Sequence, residues 1–464
     1  MRNLRFFRLS SCVFAAVLLV AQNDAAAQTG GQTPAPEAAP APGTAPAHRP
    51  IVIKDPLAAA GALIDRGQYE DAAIILDAID KMAPADRAKF DATERAFLRG
   101  RIAFGRKDYK TAIQYYETIL AQHPEAVRVR LELARSLLFD GKYDRAERHF
   151  ELVLAGDIPK NVATNVNRFL EQIYAQRTWR FRFNVAVAPD TNINNATDSE
   201  TVDIFGLPFS LGNDARRNSG VGLFASGGVE YRPKLSDTTR LLTNLQVQRT
   251  EYKGSQFDDM IVSGNLGPEM TYGRVVLGVS GVGFRRWYGN RGYNSGVGAQ
   301  FNITARLTQI FGVGLTVLAE DVHYDLDPSH TGPLVSAVLS GFVSLTPASS
   351  IRPYIGLNRE FARADFQRNT AYRVGFDYYR EFPWGITLTV SPDFVIRPFD
   401  AMQPAFGVTR HDRLYEVSTQ VVKRDFKILG FAPYIDYTFT HNHSNISLYK
   451  FSRHRIGFGF TRFY

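Results

Sequence analysis

Trp179-Arg180-Phe181-Arg182-Phe183-Asn184-Val185-Ala186-Val187 alternates large apolar residues with polar or small ones without a break. A two-residue period puts one set of side chains on each face of a sheet. The same period returns at Val297–Leu307, with Gln300, Asn302, Thr304 and Arg306 between the apolar residues. It returns at Ile386–Ile396, opposite Thr387, Thr389, Ser391, Asp393 and Arg397, and at Phe431–Phe439, opposite Tyr434, Asp436 and Thr438. A large soluble all-β domain would alternate in the same way, so three further features decide.

The strands run to about ten residues or more, the length a tilted strand needs to cross a bilayer. Short connections near Lys234–Thr238, Tyr272–Arg274, Gln309–Phe311, Pro347–Ser350, Phe382–Gly385 and Arg424–Lys427 alternate with longer ones. The longer ones are Pro189–Asn218, Lys253–Phe257, Asp325–Thr331, Ala362–Asn369, Arg397–Arg410 and His441–Tyr449. Short turns on one side and long loops on the other mark outer-membrane barrels. Aromatics gather at strand ends (Tyr231, Trp287, Tyr288, Tyr378, Tyr379, Trp384, Tyr464), where interfacial girdles sit. Residues 178–464 therefore read as a transmembrane antiparallel β-barrel of about fourteen strands. At its end Ile456, Phe458, Phe460 and Tyr464 alternate towards a terminal aromatic.

The polar set of each strand then faces the lumen. It contains Arg180, Arg182, Glu230, Glu269, Arg306, Glu320, Glu360, Arg373, Asp377, Asp393, Arg397, Glu416 and Asp436, with Gln246, Gln248 and Gln300 among them. Charges so placed need water or one another, because burial without a partner is costly. A mixed-sign lumen suits a hydrated protein-conducting path and equally a diffusion pore.

Upstream, over residues 55–177, the period becomes helical. Gly67-Gln68-Tyr69 with Ala72, Lys107-Asp108-Tyr109 with Ala112, and Gly141-Lys142-Tyr143 with Ala146 repeat one signal. Tyr109 and Tyr143 stand 34 residues apart, the tetratricopeptide period, while Tyr69 and Tyr109 stand 40 apart, with an insertion around Pro84–Lys89. Three helical pairs are the minimum for a stable stack, and Asn161–Arg177 supplies a capping helix. Tyr109 and Tyr143 are expected to fill the seams between helices. Such solenoids offer a groove rather than an active site. Aligning the repeats puts Phe97, Arg101, Phe104, Arg128, Leu131 and Arg135 on the partner-binding concave face. The fold class is α + β and multidomain: an N-terminal tetratricopeptide solenoid followed by the barrel.

Residues 1–27 read as a secretory leader, with Arg2, Arg5 and Arg8 before the apolar run Val13–Ala21 and small residues at Ala25–Ala27. Residues 28–54, rich in Pro and Ala, read as a flexible tether. The single Cys12 lies in the leader, which leaves no disulfide and no thiolate metal site in the remainder. The formal charge of +8 is spread along the chain rather than run together, which argues against nucleic acid as a partner.

A secreted repeat segment running directly into such a barrel, opened by Val187-Ala188-Pro189-Asp190-Thr191-Asn192-Ile193-Asn194-Asn195-Ala196-Thr197, resembles the Slam family, the surface lipoprotein assembly modulators. The resemblance implies an outer-membrane translocon with its repeats in the periplasm. It implies delivery of particular lipoproteins, or of secreted haem- and metal-scavenging proteins, to the cell surface. The partners expected are such a client, periplasmic chaperones, the barrel-assembly machinery and the outer membrane. The tether and the three repeats depart from the family pattern. The alternative is a porin or polysaccharide-export protein whose repeats scaffold other proteins.

Catalytic chemistry ranks last. Asp190, Asn192 and Asn194 have the spacing that opens a calcium loop, but Asn195 replaces the glycine and Thr201 the closing glutamate, so side chains capping their own turn explain the stretch better. His441, His443 and Ser444 read as solvated residues of an outer loop. No phosphate loop, zinc motif or nucleophile elbow is present, so no cofactor or metal and no enzyme activity is expected.

Overall fold

The structure is a computed structural model that describes residues 55–176, 178–426, 428 and 431–461. The leader, the tether and Arg462–Tyr464 lie outside them.

Helices α1 (Pro56–Asp65) and α2 (Tyr69–Asp80) form the first pair. A single turn, α3 (Pro84–Arg87), occupies the insertion. The pairs α4 (Ala92–Gly105) with α5 (Tyr109–Gln122), and α6 (Val127–Phe139) with α7 (Tyr143–Leu154), follow, and α8 (Lys160–Gln176) caps the stack. Starts are chemically marked. Asp55 accepts from the amides of Leu57 and Ala58, with Pro56 at the first helical position, and Asp91 and Asp108 cap α4 and α5. Each pair turns through a left-handed residue: Gly67, Lys107 and Gly141, with φ of 77°, 63° and 73°. Lys107 adopts this conformation at a cost that glycine avoids.

Ala72, Ala112 and Ala146 are fully buried, which lets paired helices approach closely. The aromatics that fill the seams are Tyr116 and Phe150, both fully buried, seven positions beyond the expected pair. Tyr109 and Tyr143 are only half-buried, and Tyr109 stacks on the exposed ring of Phe139 at 5.6 Å. The reason is geometric. The first residue of a helix sits at its end, whereas two turns later the same face meets the neighbouring pair.

Strands β1 (Trp179–Asp190), β2 (Thr201–Ile204), β3 (Leu207–Ser210) and β4 (Gly220–Tyr231) come next. They are followed by β5 (Thr239–Tyr252), β6 (Asp259–Tyr272), β7 (Val275–Tyr288), β8 (Arg291–Arg306), β9 (Phe311–Tyr324) and β10 (Gly332–Thr346). The last are β11 (Ser349–Glu360), β12 (Asn369–Phe382), β13 (Ile386–Gln403), β14 (Val408–Lys423), β15 (Ala432–Ser444) and β16 (Phe451–Thr461). All but β2 and β3 form one closed antiparallel barrel of fourteen strands, and β2–β3 is a separate hairpin inside the first loop. The ring closes between β1 and β16, with Val185 opposite Phe460 and Asp190 opposite Arg455. Tyr434 of β15 crosses β16 at Gly459, where an added Cβ would lie 2.6 Å from its ring, and donates to Asn184 Oδ1 of β1 at 2.8 Å. One inward side chain thus spans the closing seam.

Outward residues such as Trp179, Phe181, Val247, Leu266, Val374 and Phe458 are apolar and exposed, as a lipid-facing wall requires. A closed barrel satisfies every strand's backbone without water. Among the described residues no helix is long and apolar enough to cross a membrane.

Three connections differ from the reading above. Residues 397–410 are mostly strand, closed by a short turn after Gln403, because Pro398 stands in an outward position opposite His411 and does not end β13. Gly289 and Asn290, with φ of 59° and 57°, make a two-residue turn at the end where long loops were expected. β15 begins at Ala432, later than the short turn near Arg424–Lys427 implies.

Candidate functional site

Helix α7 has two faces. Ala146, Phe150, Val153 and Leu154 enter the repeat core. Asp144, Glu147, Arg148 and Glu151 fall at i, i+3, i+4 and i+7, a charged stripe that on a free-standing stack would be its wet side. Here the stripe meets the barrel. Arg180 Nε of β1 donates to Asp144 Oδ1 at 2.8 Å, and its guanidinium lies 3.9 Å from Glu147. The Arg148 guanidinium sits 3.9 Å above the Tyr379 ring of β12. Arg306 Nη2 of β8 donates to Glu151 Oε1 at 2.8 Å, and Ser344 Oγ of β10 reaches the Glu151 carbonyl. These strands are spread around the ring, so α7 lies as a bar across the mouth on the repeat side.

A buried lock holds one end. Arg130 of α6 and Glu381 of β12 are fully desolvated and bonded at 2.8 Å. Arg424 donates to the same carboxylate oxygen at 2.8 Å, and the Tyr379 hydroxyl donates to the other at 2.6 Å. Arg130 also contacts His149 Nδ1 at 3.0 Å and donates to the Pro124 carbonyl. The Gly385 amide donates to the Ala121 carbonyl at 2.9 Å, a backbone bond between the two domains. Glu117, Arg145, His149, Glu381 and Arg424 line a 30 Å³ cavity beside the lock, room for about one water. Burial, and then Arg130, hold the His149 imidazole well below its usual range. Burial and the neighbouring Glu147 push the Glu151 carboxyl up to about 7, against the pull of Arg306.

The strand register puts all thirteen charged residues named for the lumen on the inward face. They are not alike. Arg180, Arg182, Glu230, Glu269 and Arg306 form the tier under α7; Arg182 lies 3.5 Å from Glu230, and Arg232 links Glu230 to Glu269. Higher up, Arg373 and the Tyr354 hydroxyl both bond Asp393, at 2.6 and 2.9 Å. Asp377 stands across from Arg352 and Arg397 from Asp412 in the ladder. Glu416 accepts from Thr440, and Glu360 accepts from Asn369. Glu320 and Asp436 are half-buried in the same wall.

On the repeats, Phe97, Arg101, Phe104, Arg128, Leu131 and Arg135 come together on α4 and α6. Arg128 covers the Phe97 ring at 4.7 Å and Arg135 covers Phe104 at 4.9 Å. Arg101 bonds Asp65 of α1, Arg135 bonds Glu132, and Leu131 packs on the core.

The Asp-Thr-Asn-Ile-Asn stretch is occupied with its own loop. Arg453 Nε bonds both oxygens of Asp190. Asn192 donates its amide to the carbonyls of Ala196 and Ser452, and Asn194 donates to those of Asp214 and Arg216. His441, His443 and Ser444 are not in a loop but at the end of β15, where the pleat sends Ser444 inward and both histidines outward. A serine and histidines on opposite faces make no nucleophile–base pair.

Sequence reading missed Arg130, Glu381, Arg424, the α7 stripe, and the inward pairs Arg286–Asp259 and Arg410–Asp412, at 2.7 and 2.6 Å. One clue to the first was available. Arg130 stands 34 residues after Ala96, a large cation where the preceding repeat has alanine.

Residues 179–464 match the family profile described as surface lipoprotein assembly modifier. Residues 60–150 match the profile for that family's N-terminal TPR repeats. The chain is 24% identical over 417 residues to the hemophilin secretion modulator of Acinetobacter baumannii, covering 84% of this chain and 82% of the relative. It is 19% identical over 364 residues to surface lipoprotein assembly modifier 1 of Haemophilus influenzae, covering 75% and 73%. Among solved structures, the A. baumannii outer-membrane channel DcaP overlays with a TM-score of 0.37 at 8% identity, over 62% of this chain and 98% of that one.

Proposed function

Since this chain belongs to the surface lipoprotein assembly modifier family, we propose that it is a translocon carrying a particular lipidated or secreted protein to the cell surface. It is an outer-membrane barrel protein. The repeats stand in the periplasm and select the client, or a chaperone that delivers it. The observation that carries this reading is the seating of α7 over the lumen, bonded to β1, β8 and β12. A repeat domain that served only as a scaffold would have no need to occupy the pore mouth.

The division of labour follows. The α4–α6 face offers arginines over aromatic rings, Phe104 half-buried under Arg135 and Phe97 buried under Arg128, and arginine and aromatic residues dominate binding hot spots. The barrel offers a lumen of paired charges around which water and a moving chain can exchange partners. No nucleotide is supplied outside the inner membrane, so the free energy comes from client binding and from folding at the surface. Periplasmic chaperones and the barrel-assembly machinery are the expected accessory partners. No catalytic step enters this scheme.

The test is antibody labelling of candidate clients on intact cells with and without this gene, and with Arg101→Glu plus Arg135→Glu. Charge complementarity governs encounter and partner choice, so the double variant is expected to lose surface client while barrel level stays normal. Unchanged labelling of every candidate client in the knockout would overturn the translocon reading and leave a diffusion pore.

A further inference from the structure

Rim arginines face the three carboxylates of α7, Asp144, Glu147 and Glu151, which lie among its own Arg145 and Arg148. Arg180, Arg182, Arg306 and Arg352 point inward from β1, β8 and β11 towards α7. The rim carboxylates are already engaged with rim arginines: Arg232 bonds both Glu230 and Glu269, and Glu381 is held by Arg424 as well as by Arg130. Arg182 faces Glu230 at 3.5 Å, and the α7 stripe answers Arg180 through Asp144 and Glu147 at one end and Arg306 through Glu151 at the other.

We infer that this arginine ring is a docking site for an acidic segment of the client, and that α7 occupies it as an internal stand-in until the client displaces it. This rests on the translocon reading, which requires the mouth to clear. Three observations support it. The bonds from the stripe to Arg180 and Arg306 are ionic, and Arg148 adds a cation–ring contact with Tyr379. Arginine forks bind carboxylates whatever backbone presents them, so an acidic strand or helix satisfies the ring as well as α7 does. Desolvation and Glu147 together act against the charged form of Glu151, so the stand-in is an imperfect ligand that a better one can replace.

The experiment uses the full chain in detergent. Cys12 is replaced, and spin labels are attached at Asp86→Cys and Asp237→Cys, two exposed turn positions, one in each domain. Pulsed dipolar spectroscopy then reads the distance between the domains. The probes are a twelve-residue glutamate-rich peptide and a lysine-rich peptide of equal length. The glutamate peptide is expected to abolish the docked distance, and the lysine peptide to leave it. A charge-swapped protein, with Asp144→Arg, Glu151→Arg, Arg180→Glu and Arg306→Glu, keeps both ion pairs with signs reversed. It is expected to remain docked and to respond to the lysine peptide instead. A docked distance untouched by the glutamate peptide, or one lost equally with both peptides or equally in both proteins, overturns the inference. None of these readouts uses a client, so failure here is distinguishable from failure of the export assay.

Discussion

Two faces of the same helical stack carry similar residues and meet opposite fates. On the α4–α6 side, Arg128 and Arg135 lie over aromatic rings and stay in contact with solvent. On the α7 side, Arg130 is fully buried and the acidic stripe is bonded to the barrel. Charge alone therefore does not say which surface of a repeat protein is wet. What separates the two is whether the partner surface supplies countercharges at matching positions. The barrel rim does so for α7, whereas Arg101 and Arg135 on the α4–α6 face are paired within the repeats, with Asp65 and Glu132. The exposed face is left for another molecule, and the buried one is a joint.

The comparison breaks most severely at Glu381. Glu381→Ala leaves Arg130 and Arg424 buried without their shared carboxylate, which costs about 3–5 kcal/mol. The docked spin-label distance should vanish; a narrow docked distribution in this variant would show that the lock is not what holds the joint.

A change of pH acts on the same joint through two groups of opposite sign. Docking raises the Glu151 carboxyl from 4.5 to about 7, so its contribution is full below 4.5 and lost as pH rises through 7. Glu147, Arg148, Arg306 and Arg352 face that carboxyl. Docking lowers His149 below 6.5, so its contribution is present above 6.5 and lost as pH falls. Arg130, Glu381, Arg145 and Arg148 face that imidazole. The two act in opposite directions in the wild type. His149→Gln should tighten docking on acidification from 7 downward, and Glu151→Gln should loosen it below 6.5. Identical pH profiles for the two variants would refute this assignment.

A smaller effect comes from a position on neither face. Lys107→Gly relieves a left-handed backbone and should stabilise the repeats by about 1 kcal/mol, read as a higher denaturation midpoint of the full chain. The smallest belongs to the exposed face. Arg128→Ala and Arg135→Ala each remove a solvent-screened cation–ring contact worth about 0.5–1 kcal/mol, so stability should barely move while client export falls. A large stability loss here would mean that the α4–α6 face is a structural joint like the other.

Much of the architecture was legible because its signals are local. Trp179 to Val187 declare a strand with one lipid face, and Gly67, Gly141 and the buried Ala72, Ala112 and Ala146 declare paired helices. The inward set, from Arg180 to Asp436, follows from parity once a strand is placed. Legibility failed where a local cue had two meanings. Arg397–Arg410 reads as a long connection, yet most of it is strand, with Pro398 in an outward position opposite His411. Tyr109 carried the repeat signature, but Tyr116 carried the packing.

Period and parity determined by themselves that the chain is a helical stack followed by a closed membrane barrel, because a hydrophobic pattern of period 3.6 or 2 is complete within a dozen residues. The tertiary structure alone decided that α7 closes the barrel mouth. A helix stripe of Asp144, Glu147, Arg148 and Glu151 is the same sequence whether it faces water or Arg180 and Arg306. Only the folded chain brings Arg130 to Glu381, 251 residues away, and only there does burial turn an ordinary surface charge into the link between the two domains.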